Sequence, residues 1–488
     1  MTTLKPTEIQ SEKLPLWRKI GYGVGDIYGG GSMVVVNFFY LIFLTDVVRI
    51  SPALAGTVIL ISKVYDSITD PFEGALSDRT RTSLGRRRPY LLAGVPLVFL
   101  SFIALFYPYS TDSELARFAL VILSYLFFST VVSIVMLNYN ALQAEMTLDY
   151  DERTSLSTIR IFFSTVASII AALIPLEIVK QFDNVRTGYL VMGITFGLFF
   201  AIPFIFTFFA ARERKEFQKP PEKFDWRVAF IEPFKLKTFV YALLMYLFAF
   251  VAVDTVSNIV VFFMKYYIMR GDEANYVAGT LLLFQVLSLP FYYWLSKRSS
   301  KSFGFMVGGV IWLVTMLFSF FLAPGQPVWV AYLFSAVVGV GVGGVIVMMY
   351  AIFPDIPDVD ELKTGERQEG VYAALVTLIR KMSSAVAIFF VGLTIQWAGY
   401  VQPLEEVVDG VTTLVDQPQS SAFIMVLRVI FALLPLVLVL ISLFFARRYP
   451  LTPEVHERLN ALLAKRRAGE AETEEMKKEA SELQELLI

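Results

Sequence analysis

The fold class is decided by one segment, Ser302 to Pro354, which reads SFGFMVGGVIWLVTMLFSFFLAPGQPVWVAYLFSAVVGVGVGGVIVMMYAIFP and contains no charged side chain. It is interrupted at Ala323 to Pro327, where two prolines and a glycine favour a turn. A bilayer core of ~30 Å takes roughly 20 apolar residues per helix, so the sequence on each side of the turn is long enough to cross a membrane. The segment therefore predicts two membrane-spanning helices.

The composition of the whole chain agrees with that prediction. Of the 488 residues, 56% are hydrophobic and 17% are charged, which indicates a membrane protein. A net charge of −1 gives no sign of a nucleic-acid partner. The absence of cysteine excludes disulfides and thiolate metal sites. The polar start, Met1 to Arg18, lacks the apolar core of a signal peptide, so we expect no cleaved leader.

Apolar runs of similar length recur along the chain. Because backbone groups in lipid must be satisfied within the segment, each run predicts a helix. The sequence thus predicts an all-α membrane protein with twelve transmembrane helices, near 21–47, 53–76, 90–109, 115–144, 159–181, 187–210, 237–268, 274–296, 303–323, 327–354, 370–397 and 421–446.

Lysine and arginine are concentrated in alternate loops, after spans two, six and eight. By the positive-inside rule these loops, and with them both termini, are cytoplasmic in a multi-pass protein of the cell (inner) membrane. The basic residues are Arg79, Arg81, Arg86, Arg87 and Arg88; Arg212, Arg214, Lys215, Lys219, Lys223 and Arg227; and Lys297, Arg298 and Lys301.

A polar central loop at 212–236 divides the spans into six plus six. The predicted domains are a cytoplasmic N-terminal segment (1–20), a first six-helix bundle (21–211), this cytoplasmic loop, a second bundle (237–447) and a cytoplasmic helical tail (448–488). For the tail we expect a solvated charged helix rather than a partner-binding one.

The two halves resemble each other at specific loops. Leu76-Ser77-Asp78-Arg79 with Ser83 and Gly85 recurs as Leu295-Ser296-Lys297-Arg298 with Ser302 and Gly304, at the same spacing after spans two and eight. Residues 141–153 after span four have a similar counterpart in residues 351–367 after span ten. Six helices repeated in one orientation imply a pseudo-two-fold axis along the membrane normal, as in the major facilitator fold.

Two acids stand inside the second predicted span. Asp66 and Asp70 lie four residues apart, so a helix places them on one face. An ionisable group inside a span costs ~2.5–3.5 kcal/mol on insertion scales. Two carboxylates in a low dielectric cannot both ionise without a cation, a proton or a basic partner. The pair predicts a cation site, with Thr69 as a nearby hydroxyl, or a structural acid neutralised by Lys63.

The acid pair is not part of the repeat, because the equivalent positions in span eight are Gln285 and Leu289. Other polar side chains in the spans can bind a polar solute, or serve the fold as helix caps, interhelical hydrogen bonds or snorkelling bases. These residues are Asp26 in span one, Ser133, Asn138 and Asn140 in span four, Asp254 and Asn258 in span seven, and Lys381, next to Arg380, in span eleven. Lys381 is also a candidate charge partner for the span-two acids.

Five segments together form a family pattern: Tyr22-Gly23-Val24-Gly25, Thr45-Asp46-Val47-Val48, Asp66-Ser67-Ile68-Thr69-Asp70-Pro71, Gly85-Arg86-Arg87-Arg88-Pro89, and Thr147-Leu148-Asp149 with Glu152-Arg153. From about Gly21 to Tyr400 the chain resembles the glycoside–pentoside–hexuronide cation symporters, the melibiose permease family of the major facilitator superfamily. The resemblance implies a Na⁺ or H⁺ site at Asp66 and Asp70, with Thr69, Ser133 and Lys381 close by. It implies no cofactor beyond the coupling ion.

The resemblance is weaker where the family binds its sugar. Carboxylates of spans one and four and a nearby Trp hold the sugar in melibiose permease, whereas Gly30, Met136 and Asn140 stand at those positions here. A sugar or glycoside remains the family default. Lysolipid carriers of related sequence keep a similar acid pair, and the uncharged Gly29-Gly30-Gly31 region would suit an amphiphile.

These observations predict a solute:cation symporter that works by alternating access as a monomer among membrane lipids. Inner-gate ion pairs are expected among Asp78, Arg86, Arg87, Arg88, Glu145 and Arg153. An intramembrane enzyme is the rival hypothesis. The chain lacks the usual ligands for metal-dependent hydrolysis and the usual nucleophile for thiol chemistry, since His456 is the single histidine and cysteine is absent. An aspartyl dyad would take its acids from separate elements rather than from one helix. A purely structural or receptor role predicts no cation dependence.

Overall fold

The structure is a computed structural model that describes residues 13–147, 150–213, 231–365, 369–408, 411–468, 470 and 473–488. Helices dominate it. In chain order they are α1 (Leu16–Gly23), α2 (Asp26–Val35), α3 (Pro52–Arg79), α4 (Arg88–Leu105), α5 (Glu114–Met146), α6 (Tyr150–Val179), α7 (Val185–Ala201), α8 (Pro203–Ala210), α9 (Lys237–Phe262), α10 (Ala274–Leu287), α11 (Leu289–Arg298), α12 (Lys301–Phe318), α13 (Val328–Ile352), α14 (Ile356–Thr364), α15 (Glu369–Trp397), α16 (Ser421–Arg447), α17 (Pro453–Arg467) and α18 (Glu474–Leu487).

Ten helical segments of the described chain are long and apolar enough to cross a membrane, and they correspond to predicted spans three to twelve. The first two predicted spans are helical but are not among the ten. Span one is divided into α1, α2 and the π-helical turns Val36–Tyr40 and Phe43–Val47. Span two, α3, carries acids and bases along its length. The prediction of a helical multi-pass membrane protein is confirmed, and the number twelve stays a prediction.

The chain forms two compact units. The first comprises Met1–Val35, Tyr65–Thr111 and Ala119–Pro221, and the second comprises Val36–Val64, Asp112–Phe118 and Glu222–Ile488. The second unit therefore contains the later part of span one and the first part of span two. Residues 214–230 of the predicted central loop lie outside the described part of the chain. The division into six plus six spans remains a prediction.

Spans one and seven end in the same backbone motif. Each closes with a π-helical turn, Phe43–Val47 in one and Phe263–Tyr267 in the other. Each turn is followed by a residue in the left-handed region, Arg49 at φ 62° and Met269 at φ 60°. These are the two non-glycine residues with positive φ in the described part of the chain. Such a conformation is uncommon for side-chain-bearing residues, so its recurrence supports the internal repeat read from the loops.

The loop between spans eleven and twelve contains a β-hairpin, which the sequence analysis did not predict. Leu404–Val408 pairs antiparallel with Val411–Val415, and Leu404 lies opposite Val415. Valine and threonine fill most of the second strand, and β-branched residues favour the pleated conformation. The dipeptide Asp409-Gly410 between the strands is one that favours two-residue hairpin turns.

The C-terminal tail is helical, as predicted, but it is not a solvated helix. It forms α17 and α18, whose leucines are buried at Leu459, Leu462, Leu463, Leu483 and Leu487. Polar contacts join it to earlier parts of the second unit: the Lys237 ammonium donates to the Glu485 carbonyl at 3.0 Å, and Arg467 pairs with Glu361 of α14. The expectation of a solvated tail is therefore wrong, because one leucine-rich face has a surface to pack against.

Candidate functional site

The acid pair of span two lies on α3, which is helical from Pro52 to Arg79. Asp66 and Asp70 are one turn apart on this helix and share a face. The Asp66 side chain is only 2% exposed. Its Oδ1 atom accepts a hydrogen bond of 2.6 Å from the Ser129 hydroxyl of α5. Burying a carboxylate costs several kcal/mol, so this arrangement suits a group that binds a cation or a proton.

The resemblance implied Thr69 and Ser133 as the hydroxyls near the pair, and the structure gives Asp66 a hydrogen bond from a further one, Ser129. The Thr69 hydroxyl donates to the backbone carbonyl of Tyr65 at 3.1 Å. Ser129, rather than Ser133 one turn further along α5, provides the hydroxyl bound to Asp66. To choose between two serines one turn apart, one must know how far one helix is shifted along its axis relative to its neighbour. Sequence periodicity does not give this shift.

Glu73 is a third acid on this helix that the sequence analysis did not single out. It is buried and follows Asp70 by three residues, so it continues the face of the acid pair. That spacing was readable from the sequence. No group of three or more His, Cys, Asp or Glu side chains is arranged to hold a metal ion in the part of the chain that the structure describes. Three acids on one helix face nevertheless concentrate negative potential, which attracts cations.

Asp26 forms a buried ion pair between spans one and five. Its Oδ2 lies 3.0 Å from Nε of Arg160 on α6. The guanidinium lies 5.1 Å from the ring centroid of Tyr139, and Tyr139 stacks on Tyr22 with centroids 4.6 Å apart. Asp26 is thus more than a helix cap, since its charge is matched by a specific base and an aromatic pair.

The glycine-rich part of span one is closely packed rather than open. A side chain at Gly30 would clash with Ser164 of α6, because a Cβ atom there would lie 2.6 Å from its carbonyl oxygen. At Gly31 a Cβ would lie 2.7 Å from the ring of Phe200. The expectation that this region offers room to an amphiphile is not supported, since the glycines bring neighbouring helices into contact.

Asp254 of α9 pairs with Arg380 of α15, in the interior of spans seven and eleven. The contact is bidentate: Nη1 lies 2.5 Å from Oδ2, and Nη2 lies 2.8 Å from Oδ1. Asp254 is buried, and the guanidinium lies over the Phe250 ring at 4.6 Å. Asn258 donates through Nδ2 to the Asp254 backbone carbonyl and is buried as well. The base that meets Asp254 is therefore Arg380, and its neighbour Lys381 is half-buried on the same helix.

The arginines after span two form a cluster in the first unit. Arg86 Nη2 lies 2.6 Å from Oε1 of Glu145, and Arg87 Nε lies 3.4 Å from the same oxygen. Glu213 accepts hydrogen bonds from the backbone N–H groups of Arg86, Arg87 and Arg88 at the start of α4. A carboxylate is favoured at the positive end of a helix. Glu213 was not singled out from the sequence.

The other predicted gate residues have different contacts. The Arg88 guanidinium donates to the Phe208 carbonyl at 3.1 Å, and Arg153 Nε donates to the Thr147 carbonyl at 2.8 Å. The Asp78 side chain lies outside the described part of the chain.

The asparagines predicted for the solute site do not share one environment. Asn138 is buried, and its Oδ1 accepts a hydrogen bond from the Ser77 hydroxyl, which also accepts one from Arg87. Asn140 is exposed. Asn138 thus belongs to the arginine cluster, where it links spans two and four.

Comparison with known proteins identifies the family. Residues 21–453 match the model of the MFS/sugar transport protein family. The chain belongs to that family. This MFS transporter is 30% identical to the uncharacterized symporter YjmB of Bacillus subtilis, over 81% of the chain and 87% of that protein. It is 24% identical to the isoprimeverose transporter of Lactiplantibacillus pentosus (80% and 82% covered) and 22% identical to the sodium-dependent lysophosphatidylcholine symporter 1-A of Danio rerio (98% and 93%).

A solved structure supports the fold of the MFS transporter. A bacterial homologue of the iron transporter ferroportin, in an inward-facing state, aligns with a TM-score of 0.62 at 16% identity. The alignment covers 90% of the chain and 99% of that structure. The family match, rather than this likeness of fold, makes the chain a membrane transporter, and the intramembrane aspartyl hypothesis is set aside.

Proposed function

We propose that this MFS transporter is a sugar or glycoside symporter driven by Na⁺ or H⁺. The observation that carries the proposal is the buried acid Asp66, which accepts a hydrogen bond from Ser129 and stands one turn from Asp70 on the same helix face. Two carboxylates in a low dielectric need a cation, a proton or a basic partner, and a cation or a proton would couple the pair to transport. Carboxylate and hydroxyl oxygens suit a hard cation. Several relatives are named as symporters.

The transport cycle proposed for it is alternating access between two six-helix bundles, with twelve spans, cytoplasmic basic loops and both termini inside. A family of transporters and the loop repeat support this organisation. The inner-gate role falls to Arg86, Arg87 and Glu145, whose ion pairs are buried at the predicted cytoplasmic end of spans two and four. Asp78, Arg88 and Arg153 complete the proposed gate.

We propose two separate candidate contacts for the solute, the ion pair Asp26–Arg160 in the first unit and the ion pair Asp254–Arg380 in the second. Each couples a buried acid to an arginine, which offers the hydroxyl groups of a solute both acceptors and donors. A solute carboxylate would have to displace Asp254 from Arg380 and leave it buried without its partner, which costs 3–5 kcal/mol by typical estimates. The pairs therefore favour a neutral sugar over an anionic one.

A lysolipid or another amphiphile is the second candidate, and the Danio rerio relative favours it. The close packing around Gly30 and Gly31 speaks against a broad apolar binding surface on span one. Asn140, Asn258 and Lys381 remain proposed contributors to a solute site of either kind.

The test is uptake into proteoliposomes with an imposed gradient of Na⁺ or of H⁺. Wild-type protein should accumulate a radiolabelled neutral disaccharide glycoside from a screened panel in response to one gradient. Asp66→Asn should bind the same glycoside but lose gradient-driven accumulation. Accumulation by Asp66→Asn at the wild-type level would contradict the cation site. Accumulation of lysophosphatidylcholine, with no response to any glycoside, would favour the second candidate.

A further inference from the structure

Asp46 belongs to the Thr45-Asp46-Val47-Val48 segment, and neither the proposed cation site nor the proposed solute site uses it. It lies in the π-helical turn at the end of span one and is buried. Its carboxylate accepts four hydrogen bonds. The donors are the Thr45 hydroxyl at 2.8 Å, the Lys265 ammonium at 2.7 Å, the Tyr266 hydroxyl at 2.8 Å and the Tyr400 hydroxyl.

These donors come from distant parts of the chain. Lys265 and Tyr266 lie in the equivalent π-helical turn at the end of span seven, and Tyr400 follows span eleven. The two tyrosine hydroxyls are 3.0 Å apart. Burial and the neighbouring Asp46 carboxylate raise the pKa of Tyr400 well above its usual range, so its hydroxyl keeps its proton and donates. Two helix ends that the repeat makes equivalent are thus bonded to each other through one carboxylate.

The loop that carries the β-hairpin is fastened to the same place from the other side. Asp416, just after the second strand, lies 2.7 Å from the Lys265 ammonium. Gln402, just before the first strand, donates through Nε2 to the Ile50 carbonyl at 2.8 Å. Lys265 therefore lies between two carboxylates. The Asp416 side chain is 52% exposed, so water reaches the cluster from that direction.

A buried ion pair suits a contact that has to break and re-form. The cost of desolvating Asp46 and Lys265 offsets most of their Coulomb attraction, so the pair fixes a geometry without creating a deep free-energy minimum. Deleting Asp46 alone is different, because Lys265 then keeps only the half-exposed Asp416 as a counter-charge, and the hydroxyls of Tyr266 and Tyr400 lose the carboxylate to which they donate. A single substitution should therefore disturb the closed arrangement strongly, and removal of both charges should disturb it less.

We propose that Asp46, Lys265, Tyr400 and Asp416 form an outer latch, which holds the ends of spans one and seven together while the outer side is closed and separates when it opens. Outer denotes the end opposite the basic loops. The latch rests on the proposed function, because alternating access requires these ends to part. Residues 36–64, which include the outer part of span one, belong to one compact unit with residues 222–488, so the contacts of Asp46 lie within that unit.

The test uses a single reporter thiol. Because the chain contains no cysteine, Val48→Cys introduces one thiol at a fully buried position in the residues after the turn. In intact cells, a membrane-impermeant maleimide should label it slowly. Asp46→Asn in the same background should raise the labelling rate by at least about tenfold. This corresponds to a loss of ~1.4 kcal/mol in the free energy that favours the closed outer side over the open one. Tyr400→Phe, which removes one donor only, should raise it by a smaller factor.

The matched control is a looser pair at the same end. Arg49 and Glu405 are 3.8 Å apart, and their side chains are 29% and 35% exposed, so Glu405→Gln should leave the labelling rate unchanged. The double variant Asp46→Asn/Lys265→Met should label more slowly than Asp46→Asn alone. Unchanged labelling in Asp46→Asn would overturn the latch, as would an increase in Glu405→Gln equal to that in Asp46→Asn.

The labelling assay needs neither the solute nor the coupling ion, so its result is separate from the symport proposal. If Asp66→Asn accumulates glycoside normally while Asp46→Asn labels rapidly, the cation site is wrong and the latch stands. If Asp46→Asn labels at the rate of the parent while Asp66→Asn loses accumulation, the latch is wrong and the cation site stands.

Discussion

Spans two and four meet through an aspartate and a serine hydroxyl, whereas spans eight and ten, their counterparts in the repeat, meet through glycines and backbone. In the first copy, Asp66 of α3 accepts a hydrogen bond from Ser129 of α5. In the second copy, the place of Asp66 is taken by Gln285, and span ten presents Gly339 and Gly343 to the backbone of span eight. A Cβ atom at Gly343 would lie 2.7 Å from the Gln285 carbonyl oxygen.

This difference teaches how one scaffold serves two purposes. In the second copy, glycine lets the two helices approach backbone to backbone, which is how helices associate tightly in membranes. In the first copy, serine and aspartate occupy the helix surfaces, and the interface becomes a polar site. The acid pair of span two therefore has no counterpart in span eight, where Gln285 and Leu289 stand at the equivalent positions.

The largest effect is expected when a glycine of span ten is replaced by serine, the residue type that span four presents to span two. Gly339→Ser places a side chain against the Leu281 carbonyl of span eight, which is backbone and cannot rotate away. Overpacking of this kind costs ~1–3 kcal/mol, occasionally more. A lower thermal midpoint of the purified protein in detergent should report it. The control is Ala336→Ser, which adds a hydroxyl on α13, the helix that carries Gly339. Gly325→Ser is unsuitable as a control, because Gly325 has a positive φ. A midpoint for Gly339→Ser equal to that of wild type would contradict the close packing.

The next effect concerns the stabilisation that the coupling ion provides. A ligand present at 100 times its Kd stabilises the folded state by ~2.7 kcal/mol, so saturating cation should raise the wild-type melting midpoint. Asp66→Asn should abolish this rise, because the amide cannot neutralise a cation. The measurement is a melting scan with Na⁺ against choline, at several pH values. A rise of wild-type size in Asp66→Asn would place the ion elsewhere.

A smaller effect separates the two serines of span four. Ser129→Ala removes the hydroxyl bound to Asp66, and loss of such a supporting partner lowers cation affinity by roughly 10- to 100-fold. Ser133→Ala, one turn away on the same helix, is the matched control and should have the smaller effect. The concentration of cation that gives half-maximal thermal stabilisation measures both. The reverse order would restore Ser133 as the neighbour of the acid pair.

These serines show where sequence reasoning succeeds and where it stops. The apolar segment Ser302 to Pro354 is sufficient for the membrane class, and a spacing of four places Asp66 and Asp70 on one face, because both features are local. The partner across an interface depends on how two helices are rotated and shifted against each other. For that reason the hydrogen bond from Ser129 to Asp66 could not be predicted from the sequence.

The same limit applies to longer-range contacts. Arg380 and Lys381 are adjacent, and successive helix residues point in different directions, so only tertiary structure could show that Arg380 meets Asp254. The hydrogen bonds of Asp46 join segments that are far apart along the chain, and no periodic pattern in the sequence predicts them. The packing of the C-terminal tail could have been predicted more easily, since its leucines lie on one side of a helix.

The smallest effect is expected at Gln285, the repeat counterpart of Asp66. Its backbone, rather than its side chain, meets the glycines of span ten, and the side chain is half-buried. Gln285→Leu therefore keeps the packing that matters, and we expect a change in unfolding free energy within about ±0.5 kcal/mol. It should also leave the cation-dependent rise in melting midpoint at the wild-type value. A loss of that rise in Gln285→Leu would mean that both copies of the repeat contribute to ion binding, and the restriction of the coupling chemistry to spans two and four would have to be abandoned.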